Sequence, residues 1–93
     1  MITLEREMSA SRAEFLHGLR LAFPQGVEEA GALLKVGDGD TAMEIELTPL
    51  PDRTIALLRL PNMKVHIRFT AGSPEKQQAM LARMDRAMQR GGG

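Results

Sequence analysis

The chain has 93 residues and no cysteine, and its twelve basic and twelve acidic residues leave no net charge. A chain of this length forms one domain near the lower size limit for a self-sufficient core, and without cysteine neither disulfides nor thiolate–metal sites reinforce that core. No apolar run approaches the roughly 18 residues of a membrane span, and the N-terminal segment is too charged for a signal peptide. We therefore expect one cytoplasmic α+β domain without membrane contact.

The N-terminal half is predicted to form a strand, a helix and two more strands. The segment ITLERE (residues 2–7) alternates apolar and polar side chains, which favours a short first strand. Ser11 and Glu14 have the spacing of a capping box, so a helix begins there, and Pro24 with Gly26 ends it. ALLKV (residues 32–36) and AMEIEL (residues 42–47) are the next two strands, joined by a hairpin turn at GDGD.

The C-terminal half is predicted to form two strands and a helix. PLPDR (residues 49–53) is typical of a turn, TIALLRL (residues 54–60) is the fourth strand, PN (residues 61–62) is a second turn, and MKVHIRF (residues 63–69) is the fifth strand. Ser73 caps a helix with Pro74 at its first position. This helix is expected to run to about Arg90 and to leave residues 91–93 as a flexible glycine tail.

The order β-α-β-β-β-β-α indicates a two-layer sandwich with an antiparallel sheet of four to five strands and both helices on one face. Strand alternation assigns nine side chains to the helix-covered face: Met43, Ile45, Leu47, Ala56, Leu58, Leu60, Val65, Ile67 and Phe69. The last helix contributes a stripe with three methionines, which we interpret as core and not as a binding groove.

The same alternation places charged residues and two large aliphatic ones on the open face of the sheet. The assigned residues are Glu44, Glu46, Arg53, Ile55, Leu57, Arg59, Lys64, His66 and Arg68. Because a solvated sheet seldom exposes two large aliphatic side chains, we predict a homodimer or small homo-oligomer formed through this face. The acidic row of one copy would lie across the basic row of the other. The rivals are an unknown protein partner and an internal cover by residues 25–31.

The charge distribution fits an interaction surface but does not require one. Residues 1–52 carry a net charge of −6 and residues 53–93 a net charge of +6. We interpret this asymmetry first as two halves that neutralise each other on folding, and an interaction surface is the alternative.

No catalytic, metal or cofactor motif is present, so we expect a non-catalytic binding protein with no cofactor. His66 lies between Lys64 and Arg68, and no Ser or Cys is placed to act with it. The alternative is a binder of, or an enzyme for, a small anionic ligand held by Arg59, Lys64, His66 and Arg68.

Nucleic acid is not an expected partner either. The order of elements from the first helix onward resembles that of double-stranded RNA-binding domains, but SPEKQQ (residues 73–78) stands where that family has a lysine cluster. Stacking aromatic residues are also lacking, since the chain has neither Trp nor Tyr.

Two resemblances concern the C-terminus. The terminal glycines are similar to those of ubiquitin-like sulfur carriers, which makes a glycine-tailed carrier the second alternative. In that family a strand precedes the tail, whereas here a helix is predicted. LTPLP, IALLRLP and QRGGG together resemble a group of short bacterial proteins of unknown function, and this likeness implies no activity, cofactor or site.

Overall fold

Two helices pack on one face of a five-stranded antiparallel sheet. The structure, a computed structural model, describes residues 3–92 and the side chains of residues 3–88. The elements are β1 (Thr3–Met8), α1 (Arg12–Ala22), β2 (Val27–Ala30), β3 (Leu33–Asp38), β4 (Thr41–Ile55), β5 (Leu58–Ala71) and α2 (Pro74–Gly92). The predicted α+β class and the predicted order of elements are both confirmed. The first strand forms, although Ile2 lies outside the described residues.

Both helices begin at the predicted caps. The Ser11 hydroxyl accepts a hydrogen bond from the Glu14 backbone N–H, and the Glu14 carboxylate accepts one from the Ser11 N–H, which completes the capping box of α1. At α2 the Ser73 hydroxyl accepts from the Lys76 N–H at 3.3 Å. These bonds satisfy N–H groups that have no partner inside the helix, so the helix starts are fixed by local sequence.

The core lies between the helices and the covered face of the sheet. Its buried apolar members are Phe15, Leu19, Ala22, Phe23, Leu34, Val36, Met43, Ile45, Met63, Val65, Ile67, Phe69, Met80 and Met84. The helix α1 contributes Phe15, Leu19 and Ala22, and the methionine stripe of α2 is core, as interpreted. Four members of the predicted covered face are not among the buried core residues. Leu47 is half-buried and packs against the core, Ala56 lies in a turn, Leu58 is 64% exposed and Leu60 is half-buried.

The sheet has the strand order β1-β5-β4-β3-β2, with every neighbouring pair antiparallel. The two longest strands, β4 and β5, are its centre and form one continuous hairpin. The predicted turn at GDGD is confirmed, since Gly39 takes a φ of +63° between β3 and β4. That left-handed conformation has little steric cost only for glycine.

The predicted turns at PLPDR and PN are wrong. Both segments lie within strands, and the chain reverses instead at Ala56–Leu57, in the middle of the segment assigned to the fourth strand. Proline removes a backbone N–H, so it is tolerated in a strand where its nitrogen need not donate to a neighbour. Beyond Glu46 on β4 and Met63 on β5, the outer edges of the hairpin have no paired strand among the described residues.

Two further expectations need correction. Residues 27–30 form the edge strand β2 beside β3, so the segment 25–31 does not cover the open face of the sheet. The helix α2 continues to Gly92 and does not stop at Gly91, because glycine can adopt helical dihedrals as well as left-handed ones. Gly93 lies outside the described residues, and the carrier hypothesis stays a prediction.

Candidate functional site

The most unusual feature of the molecule is the outer part of the β4–β5 hairpin, residues 49–62, which we call the arm. At about 3.3 Å per residue, each of its two strands extends roughly 20 Å past the end of the paired sheet. The long axis of the molecule accordingly measures 45 Å against 23 and 22 Å for the others. No residue of the arm belongs to the buried apolar core. The arm therefore contributes little to the packing that stabilises the domain.

The arm has one aliphatic side, which we call the arm face. Residues of an uninterrupted strand alternate sides, so Leu58 and Leu60 lie on the same side of β5 as Lys64. Ile55 stands opposite Leu58, and directly opposed residues share a side. The arm face consists of Leu50, Arg53, Ile55, Leu58 and Leu60, and it continues the open face of the sheet.

This arrangement confirms part of the predicted open face of the sheet and corrects the rest. Arg53 and Ile55 lie on the open side, as predicted, but Leu57 is in the turn and Arg59 lies on the opposite side. Leu58 and Leu60 were assigned to the covered face because a strand break was assumed at Pro61. Extending the alternation of MKVHIRF back through Pro61 would have placed both leucines on the side of Lys64.

The tip of the arm, residues 55–58, exposes three large aliphatic side chains. Leu57 is 100% exposed, Leu58 64% and Ile55 55%. Ala56 holds a φ of +54° there, a conformation that costs a non-glycine residue about 1–2 kcal/mol. Neither Gly nor Asn, the residues that such turns favour, occupies this tip. A strained turn that presents apolar side chains to solvent is typical of a contact surface.

The edges of the arm are poor templates for an added strand. Pro49 and Pro51 on β4 and Pro61 on β5 have no N–H to donate. Prolines on free edges are a common protection against strand addition. Contacts of the arm should therefore be made by side chains and not by backbone pairing.

A groove of about 210 Å³ lies at the base of the arm, beside the start of α1. Its apolar lining consists of Ala10, Leu47, Pro49, Leu50, Pro61 and Met63, and its polar lining includes Ser11, Arg12 and Asp52. Asn62 also lines it, and the Oδ1 atom of this residue is buried with no hydrogen-bond partner among the described residues. Leu50 and Asn62 belong to the side of the arm face, whereas Pro49 and Met63 belong to the other. Nothing in the sequence analysis pointed to this groove, because it depends on how α1 meets the hairpin.

The charged residues of the open face form stripes across the sheet. Glu5 on β1 and Glu46 on β4 both stand opposite His66, and Glu44 stands opposite Arg68. Arg68 forms a salt bridge with Glu44, and Lys64 lies 4.0 Å from Glu5. The acidic row and the basic row are therefore neighbours within one molecule. The charge asymmetry along the sequence is used at least partly in internal pairing.

The residues proposed to hold an anion do not converge. Arg59 lies opposite Thr54 near the tip, about 23 Å along the strand from His66 at 3.3 Å per residue. His66 has a carboxylate opposite it on each neighbouring strand, whereas Lys64 stands opposite Glu7 on β1 and Arg68 stands opposite Glu44 on β4. An anion approaching β5 would meet repulsion from both neighbouring strands.

A lysine and an arginine of α2 are also paired. Lys76 donates to Asp40 at 2.7 Å, which holds the pKa of the Asp40 carboxyl below its ordinary value, through the hydrogen bond first and the charge second. Arg83 lies 3.4 Å from Asp38 and over the Phe23 ring at 5.2 Å. These contacts tie α2 to the β3–β4 turn and to α1.

The comparisons with known proteins place no constraint on the site. No family model, curated protein or solved structure matches the chain. Within residues 3–92, no helix is long and apolar enough to cross a membrane. In the same part of the chain, no three His, Asp or Glu side chains are grouped to hold a metal ion.

Proposed function

We propose that the protein is a small non-catalytic interaction protein that self-associates through its arm. The observation that carries this proposal is the aliphatic arm face on a projection that adds nothing to the core. Ordering such a projection costs conformational entropy, and none of its side chains belongs to the buried core that would offset this cost. An external contact contributes to that offset.

A second copy is the partner that the arm fits best. The arm face is aliphatic with a single charged member, Arg53, and in a two-fold dimer the same patch on each copy meets its own equivalent. Two arm faces laid against each other bury Ile55 and Leu58 of both chains. The charged stripes of the sheet need not take part, because their charges are already paired internally.

The energetic gain of the arm face is moderate. Fully burying a large aliphatic side chain contributes roughly 1.5–3 kcal/mol. Scaled by the exposed fractions of Ile55 (55%) and Leu58 (64%), two copies together gain about 4–7 kcal/mol. Association costs about 4–15 kcal/mol in lost freedom. The arm face alone therefore supports weak association, and a stable dimer needs further contacts.

The test compares substitutions of matched exposure inside and outside the arm. We expect the double variant Ile55→Glu, Leu58→Lys to be monomeric by size-exclusion chromatography with light scattering. The control is Leu21→Glu, because Leu21 on α1 is 57% exposed but lies away from the arm. The control should associate like the wild type.

Two results would contradict the proposal. One is a wild-type protein that is monomeric at every concentration tested. The other is a dimer that survives the double substitution in the arm, since an interface elsewhere must then hold it together.

A further inference from the structure

On the basis of the proposed self-association, we propose that the two copies exchange arms. In this arrangement Leu57 at the tip of each arm inserts into the groove at the base of the partner's arm. The tip and the groove are both unfilled within one chain, and they lie at opposite ends of the same arm. A two-fold axis through the middle of two antiparallel arms places each tip at the other's groove.

The groove has the size and the lining that a leucine side chain needs. An apolar cavity of about 150 Å³ is large enough to hold benzene, and the groove at the arm base measures about 210 Å³. Its walls include Leu47, Leu50 and Met63. The side chain of Leu57 is completely exposed in the single chain, so its transfer to this groove removes the largest unburied aliphatic surface of the tip from water.

The polar groups of the two ends are also complementary. The groove is also lined by Asp52, which forms no salt bridge with any other described residue. The turn at Ala56–Leu57 carries backbone N–H groups at an exposed position. A carboxylate accepts strong hydrogen bonds from N–H groups, so the tip of one chain supplies donors to Asp52 of the other.

A chain cannot fill its own groove. Leu57 and Pro49 are eight positions apart on the hairpin, about 26 Å at 3.3 Å per residue. A standard interface buries about 800 Å² on each partner, which is about one eighth of the 5994 Å² accessible surface of one chain. Contact along the whole arm and at both grooves can reach that size, whereas tip-to-tip packing would bury only the four-residue turn.

Engineered cysteines test the exchange without interference, because the natural chain has none. One population carries Leu57→Cys and a second, differently tagged, carries Pro49→Cys. After mixing and mild oxidation we expect the mixed disulfide to form at least tenfold faster than either homodisulfide. Cα atoms must come within about 7 Å to be bridged, so the bond reports tip against groove. In the control, the second population carries Leu21→Cys on α1 instead of Pro49→Cys.

A second measurement does not depend on disulfide formation. Leu57→Ala removes three carbon atoms from each groove, which should weaken dimerisation roughly fifty-fold for each groove at about 0.8 kcal/mol per carbon. The side chain is fully exposed in the single chain, so the variant should fold as the wild type does. Thermal unfolding at a concentration where both proteins are monomeric verifies this.

The outcomes separate the exchange from self-association itself. A persistent dimer that gives only the Leu57→Cys homodisulfide, or that tolerates Leu57→Ala, overturns the exchange and leaves the arm-face dimer standing. A monomeric wild type overturns both proposals. A monomer that co-sediments with phosphatidylcholine–phosphatidylglycerol vesicles, and loses this with Leu57→Ala, would overturn both by assigning the tip to a lipid surface.

Discussion

Removal of the arm should abolish association and leave the domain folded. The deletion replaces residues 50–62 by the dipeptide Asn-Gly, which favours the tight turn of a two-residue hairpin. Pro49 and Met63, an opposed pair in the register, become the residues that flank the new turn. None of the buried core side chains is removed, because Met63 is retained and the other members lie outside the arm.

The expected change in the free energy of unfolding is small. The arm loses its cross-strand pairs, worth about 0.2–1 kcal/mol each, and the half-buried side chains of Leu50 and Leu60. Against this, the removed residues no longer have to be ordered on folding. Treated as a loop shortened from thirteen residues to two, the deletion lowers the closure entropy cost by about 1.7 kcal/mol. We expect the free energies of unfolding of the shortened chain and the monomeric wild type to agree within about 2 kcal/mol.

Two measurements on the shortened chain test whether the arm is needed for folding and whether it is needed for association. Urea unfolding followed by circular dichroism gives the free energy of unfolding, and light scattering gives the mass. A folded monomer is the predicted result. A shortened chain that loses its cooperative transition would show that the arm is part of the folding unit. A shortened chain that still dimerises would show that the interface lies elsewhere.

Three further predictions concern the domain itself. Ala56→Gly should raise the free energy of unfolding by up to about 1 kcal/mol, since glycine tolerates the positive φ there; a lower urea midpoint would contradict this. Gly26→Ala should cost roughly 1–3 kcal/mol because the added carbon overlaps the Gly37 carbonyl oxygen, whereas Gly37→Ala, with open space around it, should change the urea midpoint little. Lys76→Gln should return the Asp40 pKa to its ordinary value near 3.8 in an NMR titration. Because the pKa of Asp40 is depressed in the folded protein, the stabilisation from the Lys76–Asp40 pair is present above pH 3.8 and is lost as the pH falls through the folded pKa. An unchanged Asp40 pKa in the variant would contradict the assignment.

The sequence was sufficient to predict the fold class because its local signals agree with one another. Capping at Ser11 and Ser73 fixed both helix starts. The spacing of apolar residues, every third or fourth residue in a helix and every second in a strand, assigned most of the core. Lys64, His66 and Arg68 were placed correctly on one face because MKVHIRF alternates without interruption. Their pairing with carboxylates on both neighbouring strands required the strand order, which local patterns do not contain.

The arm could not be predicted because its residue types are unusual for the positions that they occupy. Pro49, Pro51 and Pro61 are typical turn residues, yet they lie in strands with free edges. Ala56 and Leu57 are poor turn residues, yet they form the turn. Sequence patterns that break local rules commonly mark functional or strained sites. The groove could not be predicted at all, because it exists only where the start of α1 packs beside the base of the hairpin.

Sedimentation equilibrium of the wild-type protein over a hundredfold range of concentration tests the central claim most directly. If the arms join two copies, the weight-average mass rises from the 10.2 kDa of one chain towards twice that value, and Ile55→Glu with Leu58→Lys keeps it at the monomer mass. A wild-type mass of 10.2 kDa at every concentration would contradict the account.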